Sequence, residues 1–295
     1  MKILLLGAKG QLGIELQKVL PELGEVIALS RNELDLSNQI ALSQKLSLIK
    51  PDLIVNASAY TSVDKAEIEK DLAMLINASV PEILAKHSKI NDIILVHYST
   101  DYVFDGRKST PYIETDETRP LSVYGSTKVN GEQFITNSKC QHLIFRTSWL
   151  FSPHGHNFLT TILNLAKEKK ELNIVSDQWG TPTSCHWLAK ITLAALKICL
   201  SNKSQNKKVP WGTYHACPNG FTNWYEYAKF AILTKYKNIN NFQQIEVHPI
   251  NTKEYKQKVI RPQSSVLSNK KLVDTFNIDA SNWKELVTEV INQLK

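Results

Sequence analysis

Apolar positions in the first half of this chain follow two alternating patterns. Residues 2–6 form a short, nearly continuous apolar run closed by glycine, as expected of a strand buried on both faces. Residues 11–20 then place Leu12, Leu16, Val19 and Leu20 on one side of a helix. The short apolar run recurs at 26–29, 52–55, 93–97 and 142–145. Alanine-rich helical spacing over about 64–90 and a helix over about 123–135 fall between the later runs. Strands alternating with helices predict right-handed βαβ units. The expected fold is therefore α/β, a Rossmann-like doubly wound parallel sheet with helices on both faces.

Past residue 150 the rhythm loosens. Helices are expected at 158–170, 184–200, 223–236 and 283–294, with short strands at 172–175 and 245–250. Asn223 with Glu226 three residues on reads as a capping box, and the lysine-rich stretch 201–210 reads as a surface loop. This half resembles a smaller α/β lobe, some of whose elements return to the first sheet.

Composition narrows the classes. A chain of 295 residues with 42% hydrophobic and 21% charged residues is globular, and is large enough for two joined domains. No apolar run approaches the ~20 residues that span a bilayer. The longest, 188–200, is broken by Lys190 and Lys197. The opening MKILLLGAKG imitates a signal peptide, but its apolar run is short and no cleavage site follows, so a cytoplasmic location is expected. Cys140, Cys185, Cys199 and Cys217 form no C-x-x-C pair and read as reduced thiols. His154 and His156 have no cysteine or acidic cluster beside them in sequence, so no metal site is expected there. The net charge of +7 belongs to the second half, with 16 basic and 18 acidic residues before position 151 and 19 and 10 after it. Its lysines form no dense run interleaved with aromatics, so neither nucleic acid nor a membrane is an expected partner.

Glycine brings in the chemistry. Only 11 residues are glycine, yet Gly7, Gly10 and Gly13 fall within the first 13 positions, as G-x-x-G-x-x-G between the first strand and the first helix. Such a turn lets the backbone approach a pyrophosphate at the positive end of a helix. Residues 1–150 are therefore expected to form a dinucleotide-binding domain, and 151–295 mainly a substrate-binding lobe. At the tip of the second strand Ser30 and Arg31 suit a ribose 2′-phosphate, which favours NADPH and leaves NADH open. Tyr124 and Lys128 stand four apart on one helical face. An ammonium beside a phenol favours the phenolate, so Lys128 is expected to lower the Tyr124 pKa towards neutrality. Thr100, after the fourth strand, sits at the carboxyl edge of the sheet, where ligands bind.

Together these residues resemble the extended short-chain dehydrogenase/reductase family that acts on nucleotide sugars. The finer motifs, among them Gly10-Gln11-Leu12-Gly13, Ser99-Thr100-Asp101-Tyr102-Val103-Phe104-Asp105-Gly106, Arg146-Thr147-Ser148-Trp149 and Arg261-Pro262, are similar to those of its dTDP-4-dehydrorhamnose reductases nearly end to end. The resemblance implies reduction of the C4 ketone of a dTDP-linked 4-dehydro sugar, with Thr100, Tyr124 and Lys128 as catalytic triad. It implies that Gly10, Gln11 and Leu12 hold the pyrophosphate, that Asp35 and Leu36 flank the adenine, and that Ala59, Tyr60, Thr61 and Tyr98 line the cofactor. Val63, Thr100, Asp101, Trp149 and Arg261 are implied on the substrate side. Some relatives bind magnesium through glutamates at a homodimer contact. Glu15 matches the first of these, but His186 stands where another can be, which leaves magnesium and that dimer open.

Three other readings share parts of the pattern. A 4,6-dehydratase needs a glutamate after Asp101, where this chain has Tyr102. An epimerase on another dTDP- or UDP-sugar would show no net redox change. A regulatory subunit resembling the β-subunit of methionine adenosyltransferase would bind NADP without turnover, and would not need an intact triad.

Overall fold

Alternate residues of the first strand are committed to opposite faces of the sheet, and the two faces set the layers of the molecule. In β1 (Lys2–Leu6), Ile3 and Leu5 join an apolar cluster on one side, while Leu4 and Leu6 join another on the opposite side. The structure, a computed structural model, describes residues 1–237, 245–255 and 258–294. β1 leads into α1 (Gln11–Val19), whose Leu12 and Leu16 pack on the Ile3 side. β2 (Glu25–Leu29) is followed by α2 (Gln39–Ile49), which packs Leu42, Leu46 and Ile49 on the Leu4 side. The sequence pattern did not lead us to expect α2, because its serines and glutamine dilute the apolar spacing. Asn38 starts it by accepting a 3.0 Å hydrogen bond from the Ala41 amide.

β3 (Leu53–Asn56) follows, then α3 (Val63–Ala66), α4 (Lys70–Met74), a π-helical turn over Leu75–Ser79, and α5 (Val80–Ile90). β4 (Ile94–Thr100) and β5 (His142–Thr147) flank α6 (Val123–Ser138). Both strands run past their predicted ends, so Thr100 and Thr147 are strand residues paired in register.

The second half adds β6 (Leu150–Phe151), α7 (Phe158–Glu168), β7 (Glu171–Val175), β8 (Trp179–Gly180) and β9 (Thr183–Ser184). Next come α8 (Cys185–Ser204), β10 (Gly212–His215), β11 (Thr222–Asn223), α9 (Trp224–Tyr236) and β12 (Glu246–Ile250). α10 (Lys270–Phe276) and α11 (Trp283–Gln293) close the described chain. The expected loop at 201–210 begins late, since α8 continues through Ser204. β10 returns to the main sheet beside β5, giving a six-stranded parallel sheet in the order β10-β5-β4-β3-β1-β2. β7 pairs with β12, β6 with β9 and β8 with β11 in three two-stranded sheets. Among the described residues no helix is long and apolar enough to cross a membrane.

One buried ion pair ties α6 to the sheet. Arg146 on β5 donates from Nε to both oxygens of the Glu132 carboxylate at 3.0 and 3.1 Å, and from Nη2 to Oε2 at 2.6 Å. Both side chains are 7% exposed, and the guanidinium also lies over the Phe104 ring. Removing one partner strands a buried charge. Glu132→Ala is expected to lower the urea-unfolding free energy by about 3–5 kcal/mol. Glu117→Ala, which breaks the exposed pair with Arg119, should leave it nearly unchanged.

Candidate active site

The chain turns outward in opposite directions after β1 and β3, and the crevice between their carboxyl ends holds a cleft of about 770 Å³. Its floor is the glycine turn. Gly7 has φ +82°, and a Cβ there would come within 2.7 Å of the Ala57 backbone just past β3. Gly13 lies directly under the Gly7 carbonyl, where any side chain would collide. α1 starts at Gln11 with Gly10 as its N-cap. No side chain caps it and no acidic residue sits in its first turn. Its first amides, at Gln11, Leu12 and Gly13, therefore have no intrahelical partner and make a positive end facing the cleft.

Of the residues expected at a cofactor, Gly7, Gly10, Gln11, Leu12, Ser30, Arg31, Asp35, Leu36, Ala59, Tyr60, Thr61, Tyr98, Tyr124 and Lys128 all line this cleft. Gly13 does not, because its place is beneath the turn. At the β2 end Ser30 donates from its amide and hydroxyl to the Glu33 carboxylate, so it is not free as expected. The Arg31 side chain is 80% exposed and only loosely paired with Asp35, at 3.9 Å. The sequence reasoning missed Lys9, Ser58, Lys65, Ser99, Thr147 and His154 on the lining. Ser99 and Thr147 fall inside motifs already singled out, where strand periodicity alone gave no reason to pick them. Their hydroxyls are buried without a hydrogen-bond partner.

Gln11 joins this turn to the second half of the chain. Its side-chain oxygen accepts from Ser152 Oγ at 3.1 Å and from Asn157 Nδ2 at 2.9 Å. The same loop brings His154 to Glu15 on α1, an acidic neighbour that the sequence spacing around the H-x-H had not indicated. The Glu15 carboxylate meets Lys18 Nζ at 2.7 Å, His186 Nδ1 at 3.1 Å and His154 Nε2 at 3.6 Å. Burial opposes its charge, but Lys18 and His186 outweigh that and hold the carboxyl below its ordinary value. Among the described residues no group of three or more His, Cys, Asp or Glu is arranged to hold a metal ion.

Tyr124 and Lys128 stand one turn apart on α6, which Ser122 caps by accepting from the Gly125 amide at 3.1 Å. Lys128 Nζ lies 2.6 Å from the Tyr98 carbonyl and 3.2 Å from His97 Nε2. Its direction corrects one expectation. Lys128 does not bring the Tyr124 pKa down. Burial pushes the phenol up to about 12, with a hydrogen bond to Thr100 opposing and the Asp101 charge assisting. Burial also lowers Lys128 to about 8, against the pull of Glu132.

Thr100 lies next to Tyr124 but does not line the cleft itself. It donates to Asp101 Oδ1 at 3.1 Å, and Ser265 donates to the other carboxylate oxygen. Trp149 stacks on Trp224 with ring centroids 3.4 Å apart, and Arg261 lies 3.9 Å from Asp64, the neighbour of Val63. Val63, Trp149 and Arg261 thus lie outside the lining of the cleft.

Asp101 is 2% exposed, and burial raises its pKa from 3.8 to about 7 despite the two hydroxyl donors. The folded state therefore binds this proton more tightly than the unfolded one. Its contribution to stability falls as pH rises from about 4 to about 7 and is level above that. Asp101→Asn removes this dependence. The unfolding free energy of the variant relative to the parent should therefore rise over the same interval, read by denaturant titration at both ends. A constant difference would show that Asp101 ionises normally.

A protein-family model described as the RmlD substrate binding domain matches residues 1–295. A dTDP-4-dehydrorhamnose reductase of Escherichia coli K12 is 40% identical over 298 residues, covering 100% of this chain and 98% of the relative. The crystal structure of a dTDP-4-dehydrorhamnose reductase from Clostridium acetobutylicum superposes with a TM-score of 0.89 at 37% identity, covering 99% of each chain. A dTDP-4-dehydrorhamnose reductase from Bacillus anthracis in complex with NADP gives 0.85 at 33% identity, again covering 99% of each. Matched from its first residue to its last, the chain belongs to the RmlD substrate binding domain family, alongside these dTDP-4-dehydrorhamnose reductases.

Proposed function

We propose that this chain is an NADPH-dependent reductase that converts the C4 ketone of dTDP-4-dehydro-L-rhamnose to the alcohol of dTDP-L-rhamnose. The observation that carries this reading is the placing of Tyr124 and Lys128, one helical turn apart on α6, on the wall of a glycine-floored cleft. The cleft suits a dinucleotide. The uncapped α1 terminus offers amides to a pyrophosphate. The partnerless hydroxyls of Ser99 and Thr147 offer hydrogen bonds deeper in.

Bound NADPH supplies the hydride that the C4 carbon accepts. The protein supplies the proton. With its pKa raised, the Tyr124 phenol stays protonated at neutral pH and can donate to the C4 oxygen as charge builds there. Thr100, beside the phenol, is fixed by Asp101 and the Tyr102 amide. Lys128, one turn along α6 in the lining of the same cleft, suits the nicotinamide ribose. Val63, Trp149 and Arg261 are assigned to the nucleotide-sugar side, beyond the cofactor cleft. Tyr102 packs edge-on against Tyr124, with centroids 6.1 Å apart, at the position where a dehydratase needs a carboxylate base. Elimination of water is therefore not the chemistry this site supports.

The test is NADPH oxidation in the presence of dTDP-4-dehydro-L-rhamnose, with NADH and a UDP-linked 4-keto sugar as comparisons. Tyr124→Phe is expected to lower kcat by about 10²–10⁴, the usual worth of a positioned acid–base group. Near-parental turnover in that variant would remove Tyr124 from the mechanism. Absence of NADPH oxidation by the parent would remove the reading itself.

A further inference from the structure

Behind the cleft a row of buried polar side chains runs from β3 across β4 to α6. Asn56, His97 and Lys128 are each no more than 1% exposed. The mechanism above uses only the last of them. The Ser58 amide donates to Asn56 Oδ1 at 3.2 Å, and the Ser58 hydroxyl donates to the same oxygen at 2.5 Å. A backbone N–H can only donate, so the amide oxygen of Asn56 must face Ser58. Its Nδ2 then faces His97 Nδ1, at 3.1 Å. An amide nitrogen has no lone pair to offer, so Nδ1 accepts this bond and carries no proton. A neutral imidazole with a bare Nδ1 holds its proton on Nε2, which lies 3.2 Å from Lys128 Nζ. An N–H pointed at an ammonium sets donor against donor. The contact becomes a hydrogen bond only when Nζ is an amine that offers its lone pair. The Tyr98 carbonyl, 2.6 Å from Nζ, can accept one of the amine's hydrogens at the same time.

We propose that Asn56 and His97 are positioning residues that favour the neutral amine form of Lys128, and so ease loss of its proton, by aiming the imidazole Nε2–H at its nitrogen. Burial acts in the same direction on the imidazole and the amine of this relay: His97 lies well below its usual value, and Lys128 is brought to about 8. The charged and titratable groups that bear on Lys128 are His97 on β4, Tyr124 and Glu132 on its own helix, and Arg146 on β5. Glu132 favours the ammonium, but its carboxylate is taken up by Arg146. Charging Lys128 therefore breaks the His97 contact, and activity that depends on the ammonium falls as pH rises through the lysine's range. An acceptor in place of the Nε2–H would stabilise the ammonium and carry that fall to higher pH.

Asn56→Asp supplies such an acceptor with little change of shape. One carboxylate oxygen keeps the Ser58 bonds, and the other accepts from Nδ1–H, which leaves Nε2 bare towards Lys128. The first measurement is ¹⁵N NMR of the full chain labelled at histidine, with the His97 signals assigned by their loss in His97→Gln. The parent should show a bare Nδ1 and a protonated Nε2, and Asn56→Asp the reverse. The second measurement is kcat/KM against pH for the parent and both variants. The alkaline limb should move up by about one pH unit or more in Asn56→Asp and His97→Gln, as expected when a donor facing a lysine is replaced by an acceptor. A protonated Nδ1 in the parent overturns the proposal. So does a uniform loss of activity with the limb unmoved, which is the mark of a packing role. Only the kinetic arm rests on the reductase reading. If the parent reduces nothing, that reading fails and the tautomer decides the proposal by itself.

Discussion

The distance between α1 and the sheet governs the whole site. Gly13 sits under the carbonyl of Gly7, and Gly7 in turn sits against the Ala57 backbone, so three backbone segments meet with no side chain between them. This contact brings the helix terminus down to the carboxyl ends of β1 and β3, where its unpaired amides face the cleft. It also explains why a chain poor in glycine spends three of its eleven there. A methyl group at either position would lift α1. The first turn would then lose its height over the sheet, and the long side chains of Gln11 and Glu15 would lose their partners in the second half.

The parallel core was legible because its strands are buried on both faces and so begin as unbroken apolar runs, as at 53–55 and 93–96. Helices with a strong apolar stripe were legible for the same reason. α2 was not, since Ser43, Gln44, Lys45 and Ser47 surround the few residues that face the sheet. The return of β10 to the main sheet has no local signature at all. Its four residues are chosen by the open edge of β5, a long-range condition. The residues that line the cleft were found through motifs in which backbone demand and chemistry coincide. Ser99 and Thr147 escaped because a hydroxyl at a strand end looks like any other until its lack of a partner is seen.

The direction of Lys128 was the larger lesson. Spacing places its ammonium on the same helical face as the Tyr124 phenol, and proximity of that kind suggested a direct electrostatic effect. Burial turns the lysine instead to the nearest acceptor the sheet offers, the Tyr98 carbonyl, and leaves the phenol to be shaped by desolvation and by Thr100. The same desolvation acts on Asp101 behind Thr100. Acid–base character here is thus set less by pairs of charges than by how completely β4 and α6 exclude water. The Glu132–Arg146 pair, buried between α6 and β5, holds those two elements in place.

Gln11 has a mechanical meaning beyond its place in the turn. It is the first residue of α1, and its side-chain oxygen is the shared acceptor for Ser152 and Asn157. Asn157 is also the N-cap of α7. A single amide therefore couples the starts of two helices from opposite halves of the chain. Any load placed on the first turn of α1 is therefore felt at the start of α7, across a joint made of one side chain.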